Sequence, residues 1–181
     1  MQIREIASVF LISFGAVCGG HAAETPTDRF APLERFIGDW AGTATGEGGA
    51  GTVTRSYRPV INGRFIHETN TSRYPPSDKN KLGEVHEHWG VFSYDKARKL
   101  IVLRQFHVEG FVNTYRQAGE TAPTDALVFE SESFENFSND WQARESYQFI
   151  SADEFIETFE LAPPGMPYQL YSRNQLKRVS K

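Results

Sequence analysis

The chain has 181 residues, with 19 lysines and arginines against 23 acidic residues and a formal net charge of −4. That length suits one domain with a substantial core. The mild acidity, with no basic run or basic helix, excludes an electrostatic nucleic-acid surface.

Residues 1–23 read as a cleaved secretory signal. Val9–Val17 is an apolar run too short to cross a bilayer, and small residues follow at Gly20, Ala22 and Ala23. The mature chain is expected to start near Ala23 or Glu24, to be periplasmic or secreted, and to have no transmembrane span. The single cysteine, Cys18, falls in this segment in a poor lipoprotein context, so lipidation is the minority reading. Export would leave a thiol-free chain with no disulfide and no Cys-ligated metal.

Residues 24–31 are polar and proline-bearing, a flexible arm. Pro32–Ile37 reads as one helical turn with proline at its permitted first position, placing Leu33, Phe36 and Ile37 to close one end of a hollow. From there to residue 181, short β-branched and aromatic-rich runs alternate with Gly, Pro, Asn and Asp turns. They are Ala41–Gly46, Thr52–Val60, Arg64–Ser72, Glu84–Tyr94, Lys99–Val108, Phe111–Gln117, Ala126–Phe134, Trp141–Ser151, Glu154–Leu161 and Tyr168–Val179. About ten strands with local connections predict an all-β fold, a single up-and-down antiparallel barrel. Closure removes the exposed edges that invite aggregation.

The central ribbon, Glu84–Arg116, fixes the expected interior. If Tyr94 pairs with Lys99 and Val108 with Phe111, one face carries Glu87, Trp89, Arg104, Phe106, Asn113 and Tyr115. This face is the more aromatic and is assigned to the inside. Trp89, Arg104 and Tyr115 then become cross-strand neighbours, a band suited to a largely apolar ligand that could carry an acidic group, with Arg104 orienting it. Glu87 lies diagonal to Arg104, and Arg64 shares the face under one register of the preceding strand.

His86, His88 and His107 fall on the opposite face, with His67 nearby, beside Lys99, Gln105 and Arg116. That company predicts a solvated surface, so ordinary surface histidines are the default and no metal site is expected. Among Glu130, Glu132, Glu145, Glu154, Glu157 and Glu160 no pair stands out as general acid and base, so catalysis is unsupported.

Several short motifs carry a resemblance. Gly38-Asp39-Trp40-x-Gly42 after a helical turn looks like the calycin signature of lipocalin and fatty-acid-binding-like barrels. With Asn62-Gly63-Arg64-Phe65, Gly90–Asp95 and Trp141–Leu161 it is similar to a bacterial lipocalin-like group, domain of unknown function 1579. The resemblance implies structural roles for Gly38 and Trp40 and a basic residue of the last strand over Trp40. Arg173, Lys177 and Arg178 are available, and Arg173 is chosen. It also implies an interior small-molecule site. A haem- or metal-linked barrel of nitrobindin-like type, or an enzyme using the cavity, is the alternative. The nitrobindin-like branch ligates haem through a late-strand histidine, and this chain has none after His107. No cofactor is therefore expected.

Overall fold

The structure is a computed structural model that describes residues 29–78, 80–119, 126–138 and 140–179. The expected signal peptide, Cys18 and the first part of the arm lie outside the described residues.

Ten antiparallel strands form a closed barrel in which each strand pairs with its sequence neighbours and the last returns to the first. They are β1 (Gly38–Gly46), β2 (Gly49–Val60), β3 (Phe65–Tyr74), β4 (Glu84–Asp95), β5 (Leu100–His107), β6 (Val112–Gln117), β7 (Ala126–Glu135), β8 (Gln142–Ser151), β9 (Glu154–Ala162) and β10 (Gln169–Arg178). The expected up-and-down barrel is the observed one. Among the described residues no helix is long and apolar enough to cross a membrane.

The 3-10 turn Ala31–Phe36 stoppers one end. Its phased Leu33 and Phe36 are buried with Phe30, so the arm is anchored from Phe30 onward. Phe36 meets Tyr57, Tyr147, Phe149 and Phe155 at ring-centroid distances of 4.8–5.3 Å, mostly edge to face, the geometry aromatic quadrupoles favour. Trp40 is 1% exposed and its indole Nε1 donates to Phe36 O at 2.7 Å, which ties the stopper to the first strand.

The cation over Trp40 is Arg178, 4.2 Å from the ring centroid, and not Arg173. Arg173 pairs across from Thr45 near the other end of β10 and is exposed. Arg178, opposite Trp40 itself, donates to Ile37 O and Arg35 O, so it clamps the turn as well as covering the ring. Gly38 makes room for it, since a Cβ there would lie 2.8 Å from Arg178 Nη1.

The ribbon β4–β6 departs from the expected register twice. Tyr94 pairs with Ile101 rather than Lys99. Asp95 Oδ1 accepts from the backbone N–H groups of Ala97 and Arg98, and Lys99 adopts a left-handed φ of 57°, which lengthens the turn by two residues. An even shift leaves both faces unchanged. At the second hairpin Phe106 pairs with Val112, where the expected register would give Asn113. The turn there spans His107 to Phe111, with Gly110 at φ 88°. A shift by one turns β6 over relative to β5.

Candidate functional site

Alternation along β4 and β5 directs Phe92, Ile101 and Leu103 inward near the stopper, and His88 and Gln105 inward further along. On β6 the inward residues are Asn113 and Tyr115. Tyr115, fully buried, therefore lies inside. The other members of the expected band do not. Trp89 is 64% and Phe106 47% exposed, directly paired with each other on the outer wall. Arg104 is exposed and donates to Ser93 Oγ, and Glu87 is exposed beside Thr71. Arg64 is exposed just after the Asn62-Gly63 turn. The inward assignment of Arg64, Glu87, Trp89, Arg104 and Phe106 is thus corrected. It assumed that the more apolar face is the buried one, whereas half of this interior is polar.

That polar half surrounds a cavity of about 720 Å³. Its floor is a network around Arg55, which is 5% exposed. The guanidinium donates to Glu68 Oε1 at 2.8 Å, to Glu157 Oε1 at 2.7 Å and to Asn70 Oδ1 at 3.1 Å. Asn174 Nδ2 also donates to Glu157, and Tyr57 Oη to Glu68. Glu68 sits flush because its cross-strand partner is Gly90, where a Cβ would lie 2.4 Å from Glu68 Oε2. Burial alone would raise the Glu68 carboxyl. The Arg55 guanidinium, His88 and Tyr57 together outweigh that and hold it down at about 2. Burial by itself would also lower the pKa of Arg55, but Glu157, Tyr57 and Glu68 raise it well above the ordinary arginine value.

Among the described residues Glu145 forms no salt bridge with a cation. It accepts from Tyr147 Oη at 2.5 Å, and burial followed by repulsion from Glu157 and Glu68 pushes its carboxyl up to about 8. One carboxyl of the interior is consequently neutral at pH 7, while Glu68 is ionised.

Above the floor stand three histidines. His86, His88 and His107 each present a ring nitrogen, and these nitrogens lie within 4.8 Å of one another. His107 stacks on Phe111 at 4.2 Å, and Asn113 Nδ2 lies 3.2 Å from His107 Nε2 and donates to Tyr115 Oη at 2.8 Å. Burial, then repulsion from its two neighbours, lowers His107 to about 2, and burial lowers His88, so both rings are neutral. The expectation that these imidazoles face solvent is corrected, because all three line the cavity. His67 stays outside, edge-on to Trp89 at 5.5 Å. Phe111, Phe137, Trp141, Phe159 and Tyr171 bring aromatic surface to the upper cavity.

Several buried polar atoms have no partner among the described residues. They are both amide atoms of Gln105, Oδ1 of Asn113 and of Asn174, Glu68 Oε2, and both ring nitrogens of His88. Interiors rarely leave such groups unpaired unless something else satisfies them.

Arg55, Glu68, Glu145, Glu157 and the imidazoles were not singled out as an interior set in the sequence. Their signal was present only as period-two alternation of polar residues, Arg55-Ser56-Tyr57 against Glu68-Thr69-Asn70, which reads equally well as a solvated face.

No protein-family model matches the chain, and no curated protein matches it by sequence. Among solved structures it is similar to Rv2717c from M. tuberculosis, with a TM-score of 0.59 and 16% identity over 84% of this chain and 98% of that one. This likeness is one of fold alone, in keeping with the closed ten-strand antiparallel barrel. A redesigned β-barrel, mFAP1, bound to DFHBI, matches at a TM-score of 0.35 and 13% identity over 81% of this chain and 98% of that one. The haem that the nitrobindin-like resemblance implies does not fit the late strands. To the interior, β8–β10 offer Glu145, Tyr147, Glu157 and Asn174, and no imidazole.

Proposed function

We propose that this protein is an exported lipocalin-like barrel that holds one small amphipathic molecule in its open half. The short motifs at Gly38–Gly42, Asn62–Phe65 and Gly90–Asp95 support placing it with the bacterial lipocalin-like group of domain of unknown function 1579. The observation that carries the reading is a cavity of about 720 Å³ whose wall keeps hydrogen-bonding atoms of Gln105, Asn113 and Asn174 unpaired. Pockets of this size, with aromatic walls and convergent polar groups, are the usual form of a small-molecule site.

The interior chemistry also says which end of the guest points down. Arg55 is spent on Glu68 and Glu157, so it has no free fork for a carboxylate. Carboxyl groups outnumber the one guanidinium at the floor, and an anionic head would meet repulsion there. A neutral or cationic hydrogen-bonding head fits the Gln105–Asn113–Asn174 level, with an apolar body against Trp141 and Phe159. The acidic ligand expected from an inward Arg104 loses its basis once Arg104 is outside.

A neutral, polarity-sensitive naphthalene dye tests the site by fluorescence titration. Gln105→Leu and Trp141→Ala are expected to weaken binding by about tenfold or more, the cost of one unpaired polar group or one lost aromatic contact. Arg104→Ala and Trp89→Ala should leave it unchanged. Equal loss in all four variants, or no saturable binding, overturns the interior site. Export has its own check, because the chain recovered from its host should begin near Ala23 or Glu24, and a chain retaining residues 1–22 would refute it.

A further inference from the structure

The geometry points to a mononuclear site for a divalent transition-metal ion, zinc foremost, on His86, His88 and His107. It does not rest on the ligand proposed above, since the three imidazoles form a donor set whatever else occupies the cavity.

A tetrahedral zinc ion with Zn–N bonds of about 2.0–2.1 Å sets its ligand nitrogens roughly 3.3–3.4 Å apart. His107 Nδ1 and His86 Nε2 are 3.4 Å apart, already at that spacing. His88 supplies the third nitrogen. It is 7% exposed, both its ring nitrogens lack a partner, and its ligating nitrogen lies within 4.8 Å of the other two. A buried histidine that only packs is normally held by hydrogen bonds. Among the described residues none holds this one, and Glu68 Oε1, 3.7 Å from its Nε2, is on the side to take the Nε2 proton when Nδ1 binds the ion.

The surroundings prepare the lone pairs. Glu109 Oε1 lies 2.8 Å from His86 Nδ1, so the carboxylate accepts the Nδ1 proton and leaves Nε2 bare toward His107. Carboxylate–histidine–metal chains of this kind set the tautomer and raise ligand basicity. For His107 to bind through Nδ1, its proton must sit on Nε2. A half-turn of the Asn113 amide puts Oδ1, the atom now without a partner, where Nδ2 is. That oxygen then accepts from both His107 Nε2–H and Tyr115 Oη–H. No charge changes on the ring, because the proton moves from one nitrogen to the other. Stacking on Phe111 keeps the ring plane fixed meanwhile.

Three neutral imidazoles favour borderline ions over calcium or magnesium, which demand oxygen. Three protein ligands leave a fourth position, and since all three residues line the cavity it opens on that space.

The test titrates the full-length protein, stripped with chelator, with zinc alone by calorimetry and with cobalt by visible absorption. One ion per chain is expected, with the ligand-field bands of a four-coordinate imidazole site and no uptake of calcium or magnesium. His86→Gln, His88→Gln and His107→Gln should each weaken zinc binding ~100-fold or more, and Glu109→Gln about 10–100-fold, the usual effect of losing an outer-sphere carboxylate. His67→Gln, on the outer wall, should bind as wild type. Circular dichroism of each metal-free variant identifies any that fail to fold, and the wild-type cobalt spectrum stands independently of them. Absence of stoichiometric uptake, or uptake that survives His88→Gln and His107→Gln in folded protein, overturns the site.

Discussion

The two halves of the barrel are built on opposite rules. At the stoppered end Trp40, Phe36, Phe155 and their neighbours form one buried cluster, and Trp40 Nε1 and Arg178 Nη1 donate to backbone carbonyls there. At the open end the interior keeps carboxyls, imidazoles and amides around a cavity, and several of them remain unpaired. Stability resides in the first half and chemistry in the second, so substitutions in the two should have effects of different size and kind.

The largest expected effect is Trp40→Ala. Removing a fully buried indole from a packed cluster costs about 3–5 kcal/mol through lost transfer energy and the void left behind. The loss also frees Phe36 O and removes the ring beneath Arg178. At roughly 2–4 °C per kcal/mol for a chain of this size, the melting temperature should fall by about 6–20 °C. A fall of under ~3 °C would mean that the stoppered end does not carry the fold.

Glu145→Gln probes the open half and should act in the other direction. The Glu145 carboxyl is raised to about 8 in the folded protein by burial and by Glu157 and Glu68. An unfolded glutamate ionises near ~4.3. A raised acid binds its proton more tightly when folded, so its stabilising contribution is full below about pH 4 and declines as pH rises toward about 8. Glutamine has no proton to lose. The variant should match wild type near pH 4 and exceed it by a margin that grows by up to ~1.4 kcal/mol for each pH unit between the unfolded and folded values. Melting curves at several pH values measure this, and a difference independent of pH would contradict the raised acid.

How far these halves were legible in the sequence follows from the same division. The strands, the stopper and the closure were readable because period-two alternation and turn residues are local signals. Trp40 was readable too, as part of a motif adjoining a helical turn. Two things were not: that Tyr115 lies on the opposite side from Trp89 and Arg104, and which of those sides is the inside. The number of residues in the Glu109-Gly110 turn decides the orientation of β6, and one residue more or less is invisible to composition. The rule that buries the more apolar face also fails for a barrel half filled with polar groups, and it placed His86, His88 and His107 outside. Arg178 was missed in favour of Arg173 because the last strand carries three cations, and only pairing with β1 shows which one stands opposite Trp40.

The smallest expected effect tells which wall Trp89 occupies. Trp89 and Phe106 face each other across β4 and β5 on the outer wall, with Val85 and Val108 also exposed nearby. Trp89→Thr puts a β-branched strand former in place of the ring, which is 64% exposed. Little burial is forfeited, so the change in stability should stay within about 0.5 kcal/mol, with the edge contact to His67 lost. If instead Trp89 lined the cavity, the same substitution would open a void, cost several times as much and lower dye affinity. Because wild type and variant differ by one side chain on one wall, a single pair of melting curves and dye titrations decides which wall it occupies.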